Sequence, residues 1–276
     1  MNSVDQTFQM LWKDYTSFNP HALEIYNVLL KNENQQGHRV DALINDHVAL
    51  RTFRASKIGL EALGEHFVRL GYEYKNDYHF EQKKLYAKHL EHKTDASLPK
   101  VFISELLTEE FSPRVREIVK KVNDTVPETL VSRPEFLWSG RSWDVSHETY
   151  QELLKESEYA AWMYVFGFRT NHFTVSFNDL KAFKDLPALN DFLKSKGFKL
   201  NASGGEVKGT PQEGLEQSST LAGKVKVDFK EGSFEVPACY YEFARRYEDA
   251  SGHLYTGFIA KSADKIFEST DVRQQS

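Results

Sequence analysis

The sequence has little cysteine, no excess of positive charge and no long apolar segment, and each of these features excludes a class of protein. Its 276 residues include one cysteine, Cys239, so an internal disulfide is excluded. The formal net charge is −5 and the acidic excess is spread along the chain, so we expect no nucleic-acid partner. No apolar run approaches the roughly 20 residues that a membrane helix needs, and we expect no membrane association.

The compartment is predicted from the same absences. The opening stretch, M-N-S-V-D-Q-T-F-Q-M, lacks the basic and apolar blocks of a signal peptide. A single cysteine also suits a reducing environment. We therefore expect a cytoplasmic protein.

One stretch of the sequence places a histidine and an arginine on the same face of a strand. Residues Asp46 to Phe53 read D-H-V-A-L-R-T-F, and the alternation puts His47 and Arg51 on one side. A strand histidine is most often a packing residue. An imidazole also binds metals, however, and an arginine binds a carboxylate through two parallel hydrogen bonds. This strand is therefore a candidate site for a metal ion and an acid.

The same pattern occurs again in the second half of the chain. The segment R-T-N-H-F-T-V-S-F-N contains His172 and opens another alternating apolar run. A helix-like stretch follows each copy, and the two stretches end at Gly71 and Gly197, nearly equally far from their histidines. Further strand candidates follow each helix. The repetition indicates an internal duplication of a β-α-β-β-β module.

We predict an α+β fold in which two such modules form a curved sheet around a metal site, with added helices before and between them. In the second module, Lys224–Phe229 is the predicted third strand and Val236–Arg245 the last, and the connector contains a predicted helix from Ser146 to Tyr164. The tryptophan-rich connector is either a lid over a pocket or core filling. The predicted segments are N-terminal helices at 1–40, the first module at 41–112, a helical connector at 113–169, the second module at 170–260 and a C-terminal tail at 261–276.

Two histidines and a glutamate are the candidate metal ligands. Glu242 lies in an apolar final strand, where it should be coordinating, hydrogen-bonded or protonated. With His47 and His172 it would form the facial triad typical of non-haem iron(II), although zinc, manganese or cobalt accept the same donors. Glu105, in the last strand of the first module, is predicted to support these ligands from outside rather than to be a fourth ligand; an ion pair with a nearby arginine is the alternative.

Four polar side chains follow one another at Gln217–Thr220, within the segment L-E-Q-S-S-T-L-A. Such a run is equally consistent with the lining of a polar pocket and with a turn. We take Gln217, Ser218 and Ser219 as candidate substrate contacts.

The chain resembles the iron(II) 2-oxoadipate dioxygenase/decarboxylases, also called hydroxyglutarate synthases, of the vicinal oxygen chelate superfamily. The motifs that carry the resemblance are N-D-H-V-A-L-R-T-F, V-F-I-S-E-L, R-T-N-H-F-T-V, G-G-E-V-K-G-T-P with L-E-Q-S-S-T-L-A, and Y-Y-E-F-A-R-R. The resemblance implies that His47, His172 and Glu242 bind iron(II), that Arg51 binds a substrate carboxylate, and that Gln217–Thr220 lies near the pocket. It also implies that a 2-oxo acid and dioxygen are the substrates, with 2-oxoadipate converted to 2-hydroxyglutarate and carbon dioxide in lysine breakdown.

Two other functions fit the same residues. A glyoxalase-like isomerase or lyase would use a redox-inactive metal, with Glu105 completing a four-ligand zinc, nickel or cobalt site. A binding protein of the same fold would sequester a small acid in its cavity. Retention of the three ligands together with Arg51 argues against the binding protein, because a binder has less need of an open triad.

Overall fold

The computed structural model describes residues 3–270, and its contacts divide the chain into two units. Unit 1 comprises the chain up to Ser17, Val48–Asn171 and Lys224–Val236. Unit 2 comprises Phe18–His47, His172–Gly223 and the chain from Pro237 onward. Each unit therefore contains segments that are distant in sequence. The segment boundaries expected from the sequence stay a prediction.

Helices form where apolar residues recur at helical spacing and a polar side chain can cap the first turn. The helices are α1 (Val4–Phe18), α2 (Pro20–Gln35), α3 (Leu60–Val68), α4 (Pro113–Thr125), α5 (Glu128–Val131), α6 (His147–Glu156), α7 (Glu158–Phe166), α8 (Leu186–Ser195) and α9 (Ala260–Phe267). The single helix predicted from Ser146 to Tyr164 is instead α6 and α7. Ser157 between them is extended, and its side chain accepts a hydrogen bond from the backbone N–H of Ala160, which caps α7. Within residues 3–270 we find no helix with the length and apolar character needed to cross a membrane.

The strands alternate between buried and more exposed positions or are buried on both faces. They are β1 (Asn45–Phe53), β2 (Tyr72–Phe80), β3 (Leu85–His92), β4 (Lys100–Leu106), β5 (Thr170–Ser176), β6 (Lys208–Thr210), β7 (Leu215–Ser219), β8 (Lys224–Phe229), β9 (Gly232–Pro237) and β10 (Glu242–Arg246). All but the first residue of β1 are buried, as are all residues of β5. A strand covered on both faces reads as a continuous apolar run interrupted by functional residues.

The sheet strands of the two modules follow the same order. In the first module the order is β2-β3-β4-β1, and in the second it is β6-β7-β10-β5. The helix after the first strand is α3 in one module and α8 in the other. The last strand of the second module, β10, pairs parallel with β5 and antiparallel with β7. The predicted duplication of a β-α-β-β-β module in an α+β fold is thus confirmed.

Two strand predictions for the second module are wrong. Lys224–Phe229 pairs with β9 in a separate two-stranded sheet, and the third strand of the module is β7. The last strand begins at Glu242, because Val236 and Pro237 belong to the end of β9. The residues of β8 alternate as in a strand, yet most are exposed or half-buried. Alternation therefore predicted the conformation of this segment but not its partner.

The connector between the modules contributes to the core of unit 1. From Tyr159 to Phe166 every residue of α7 is buried, and Trp162 is 3% exposed. A helix that is apolar all round is normally buried on all sides. The position of Trp162 therefore favours core filling over a lid.

Candidate metal centre

The three predicted ligands meet within unit 2. His47 on β1, His172 on β5 and Glu242 on β10 each offer one ligand atom, and these atoms lie within 4.8 Å of one another. His172 Nε2 is 3.2 Å from Glu242 Oε2, and His47 Nε2 is 3.6 Å from Glu242 Oε1. All three side chains are buried. The pairing of β10 with β5 accounts for part of this arrangement, because it sets Glu242 beside Thr174, two positions after His172 on the same face.

The donor atoms of this cluster fit a divalent metal ion. Glu242 Oε2 is buried and has no hydrogen-bond partner among residues 3–270, although it lies 3.2 Å from an imidazole nitrogen. Burial raises the pKa of Glu242 to about 8, and the hydrogen bond from Gln217 offsets only part of this effect. A bound cation would stabilise the carboxylate that burial disfavours. Two imidazole nitrogens and one carboxylate oxygen suit iron(II), and also manganese, cobalt and zinc.

Aromatic rings cover the two histidines. Phe258 meets the ring of His47 edge-on, with centroids 4.8 Å apart, and Tyr240 stacks on His172 at 4.5 Å. These rings fix the planes of the imidazoles and keep water from them. The sequence predicted a role for neither aromatic residue, although alternation places Tyr240 on the same strand face as Glu242.

A buried ion pair lies behind His47. Asp46 Oδ1 is 2.7 Å from His47 Nδ1, and Arg246 binds the same carboxylate through Nε and Nη2 at 2.6 and 2.8 Å. Burial by itself would raise the pKa of Asp46, but the charge of Arg246 and the hydrogen bonds from His47 and Arg246 outweigh it and hold that pKa well below its usual range. The sequence did not indicate the contacts of Asp46, because alternation places Asp46 on the opposite face of the strand from its neighbour His47.

The predicted substrate contacts lie on both faces of strand β7. The segment that the sequence left open as a pocket lining or a turn is therefore a strand as far as Ser219. Gln217 and Ser219 lie on the face of Glu242, and Gln217 Nε2 donates to Glu242 Oε1 at 2.5 Å. The hydroxyl of Ser219 is 2.9 Å from that of Ser269. Ser218 lies on the other face, where its hydroxyl donates to Asn190 of α8. The structure thus places Gln217 beside the candidate ligand Glu242 and directs Ser218 away from it.

Arg51 lies in unit 1 and is almost completely buried. Its guanidinium stands over the rings of Tyr159 and Trp162, at 4.8 and 5.2 Å from their centroids. The hydroxyl of Tyr159 accepts a hydrogen bond from the N–H of Thr52 and donates to the carbonyl of Ser104. These contacts hold the Tyr159 ring, and with it the surface on which Arg51 rests.

Glu105 does not belong to the cluster of ligand atoms. Its carboxylate accepts hydrogen bonds from Arg54 Nε at 2.7 Å and from the N–H of Leu60 at 2.9 Å, in the first turn of α3. The N–H of Arg54 also donates to the carbonyl of Leu106, so Glu105 lies beside the end of β1 that is farther from His47. Glu105 and Glu242 therefore occupy different positions along the last strands of their modules.

The sequence matches one described protein family over most of its length. A profile of the family described as 2-oxoadipate dioxygenase/decarboxylase matches residues 7–133 and 131–249. The chloroplastic 2-oxoadipate dioxygenase/decarboxylase of Arabidopsis thaliana is 33% identical to this chain, over 95% of it and 76% of the plant protein.

Solved structures show the same relationship. The hydroxyglutarate synthase of Oryza sativa in complex with 2-oxoadipate is 32% identical, with a TM-score of 0.88 over 98% of this chain and 92% of that one. A protein of Shewanella frigidimarina, provisionally described as a hydrolase, is 52% identical, with a TM-score of 0.87 over 94% and 99% of the two chains. A glyoxalase-superfamily protein from Ralstonia eutropha, at 20% identity, has a TM-score of 0.72 over 93% and 86% and shares the fold.

Proposed function

This chain belongs to the 2-oxoadipate dioxygenase/decarboxylase family, and we propose that it is an iron(II) enzyme that converts 2-oxoadipate and dioxygen into 2-hydroxyglutarate and carbon dioxide. The buried cluster of His47, His172 and Glu242 is the observation that carries the proposal. Family membership supports the reaction class. The rice relative named with 2-oxoadipate bound supports the choice of substrate.

We propose His47, His172 and Glu242 as the iron ligands. Three donors on one side of an ion leave coordination positions for other molecules. When bound, iron(II) supplies the redox chemistry that couples the loss of carbon dioxide to hydroxylation of the same substrate molecule. The protein holds the donors in place, and its buried aromatic residues exclude water from them.

We propose that Arg51 binds the distal carboxylate of the oxo acid. A guanidinium recognises a carboxylate through two parallel hydrogen bonds, and these are strong where water is excluded. The burial of Arg51 and its contacts with Tyr159 and Trp162 support this role. The same strand, β1, supplies both His47 and Arg51.

The other proposed site residues have unequal support. Gln217 and Ser219 lie on the face of Glu242, which favours a place near the substrate. Ser218 points toward α8, and Glu105 binds Arg54 and α3, so their proposed roles at the site lack such support. A reducing cytoplasmic compartment remains part of the proposal and rests on the single cysteine, Cys239, which is buried.

Oxygen uptake by the anaerobically iron(II)-loaded protein on addition of 2-oxoadipate tests the proposal. We expect dioxygen consumed, carbon dioxide released and 2-hydroxyglutarate formed in equal amounts, with no reaction in His47→Ala. Iron binding without uptake would direct the search to other 2-oxo acids. A preference for a redox-inactive metal would favour an isomerase or lyase, and a hydrolase, the class given to the Shewanella protein, would consume no oxygen.

A further inference from the structure

We propose that Asp46, held in place by Arg246, is a positioning residue that orients His47 toward the metal ion. This inference deepens the proposed function and rests on it, since it requires His47 to be a ligand. It concerns the side of the imidazole that faces away from Glu242.

The hydrogen bond between Asp46 and His47 determines which ring nitrogen is available to a metal. A carboxylate paired with an arginine only accepts hydrogen bonds, so Nδ1 of His47 carries the ring proton and donates it to Asp46 Oδ1. The lone pair is then on Nε2, the nitrogen that lies 3.6 Å from Glu242 Oε1. Thr174 Oγ1 lies 3.0 Å from Nε2, and its hydroxyl can rotate away from this lone pair when a metal ion binds. Carboxylates that bind the second nitrogen of a metal-ligating histidine have this orienting effect.

Asp46 is itself held by a guanidinium that has little freedom to move. Besides its two bonds to Asp46, Arg246 donates through Nη1 to the carbonyls of Tyr255 at 2.9 Å and Gly257 at 2.8 Å. The guanidinium also stands over the ring of Phe258, which packs edge-on against His47. The imidazole is therefore fixed both through its Nδ1–H and across its ring.

Strand β10 supplies both the candidate ligand Glu242 and Arg246, the residue that holds Asp46 beside His47. Glu242 and Arg246 begin and end β10, and alternation places them on the same face. In the second module Asn171 stands before His172 where Asp46 stands before His47. The ring of His172 stacks on that of Tyr240.

Binding of cobalt(II), measured anaerobically by titration and by its absorption spectrum, tests the inference. Asp46→Ala removes the acceptor, and we expect metal affinity to fall roughly 10- to 100-fold, with a changed cobalt spectrum. Asp46→Asn keeps an oxygen that accepts from Nδ1–H but loses the charge that pairs with Arg246, so its affinity should fall by a smaller factor of about 3- to 10-fold, again with a changed cobalt spectrum. The matched control is Asp14→Ala, which removes another carboxylate paired with an arginine, Arg169, within unit 1. Asp14→Ala should leave both affinity and spectrum unchanged.

The outcomes separate this inference from the proposed function. Failure of the unaltered chain to bind cobalt(II), or binding that His172→Ala leaves intact, would refute the ligand set and the inference together. Binding that His172→Ala abolishes, but that has the same affinity and spectrum in a folded Asp46→Ala variant, would refute the inference alone. Circular dichroism of the metal-free variants establishes folding. If Asp46→Ala does not fold, an Asp46→Asn protein with unaltered affinity and spectrum overturns the inference.

Discussion

The amide of Gln217 holds one carboxylate oxygen of Glu242, a candidate metal ligand. Its Nε2 donates to Oε1 at 2.5 Å, and Oε2 lies toward His172. The observed contact of Gln217 is thus with Glu242, and the substrate contact predicted for it stays a prediction.

Replacement of Arg51 tests whether recognition of the substrate is separate from binding of the metal. We expect Arg51→Ala to retain stoichiometric iron and to raise KM for 2-oxoadipate, because a buried charge-assisted pair with the carboxylate is lost. The expected loss of binding free energy is about 2–4 kcal/mol, which lowers kcat/KM roughly 30- to 1000-fold. Arg54→Ala, which removes a partly exposed arginine paired with Glu105, is the control. A KM that does not change in Arg51→Ala would exclude Arg51 from substrate binding.

Replacement of Glu105 distinguishes a structural role from support of the metal ligands. The carboxylate satisfies the N–H of Leu60 at the start of α3 and pairs with Arg54. We expect Glu105→Ala to lower the free energy of unfolding by about 1–3 kcal/mol, because a buried donor loses its partner. Iron content should not change. Denaturant unfolding and metal analysis measure the two effects, and a loss of iron in a stable variant would support the role predicted from the sequence.

At the level of secondary structure, the end of α7 depends on a glycine. Gly167 has a φ of 67°, and a β-carbon at this position would lie 2.2 Å from the carbonyl oxygen of Gly140. That carbonyl accepts a hydrogen bond from the N–H of Phe168 at 2.8 Å, so it has little freedom to move. The turn after α7 thus requires both the positive φ and the absence of a side chain.

Two alanine variants separate these requirements. Gly167→Ala should lower the free energy of unfolding by about 3 kcal/mol or more, since backbone strain and a steric clash combine. Gly197, which follows α8, has a φ of 89° but nothing within 4 Å of the added β-carbon. Gly197→Ala should therefore cost only about 1–2 kcal/mol. Equal losses in denaturant unfolding would show that the contact with Gly140 is relieved by a small shift.

For the whole molecule, metal binding and folding stability should be coupled. The three candidate ligands come from segments that are far apart in sequence and are gathered only in folded unit 2. A metal that binds the folded chain alone, at about 100 times its Kd, should stabilise it by about 2.7 kcal/mol. We expect an increase in Tm on addition of cobalt(II), reversal of that increase by a chelator, and no increase in His172→Ala. An equal increase in that variant would place the metal elsewhere.

The sequence by itself determined the features that depend on neighbours along the chain. Alternation placed His47 and Arg51 on one face of a strand, and repetition of strand and helix revealed the duplicated module. A carboxylate in an apolar strand identified Glu242 as a residue that needs a partner. These features are visible without coordinates, because backbone geometry gives each element a fixed side-chain period.

Only the tertiary structure decided which distant groups meet. Strand pairing and register brought Arg246 to Asp46, set Gln217 against Glu242 and placed Lys224–Phe229 in a sheet of its own. The fold also gave Glu105 an arginine and the first turn of a helix as partners, although the symmetry of the two modules had suggested that Glu105 lies near the metal ligands. The physical reason is that contacts between strands depend on register, and a small shift in register changes every cross-strand neighbour while leaving the local pattern of the sequence unchanged.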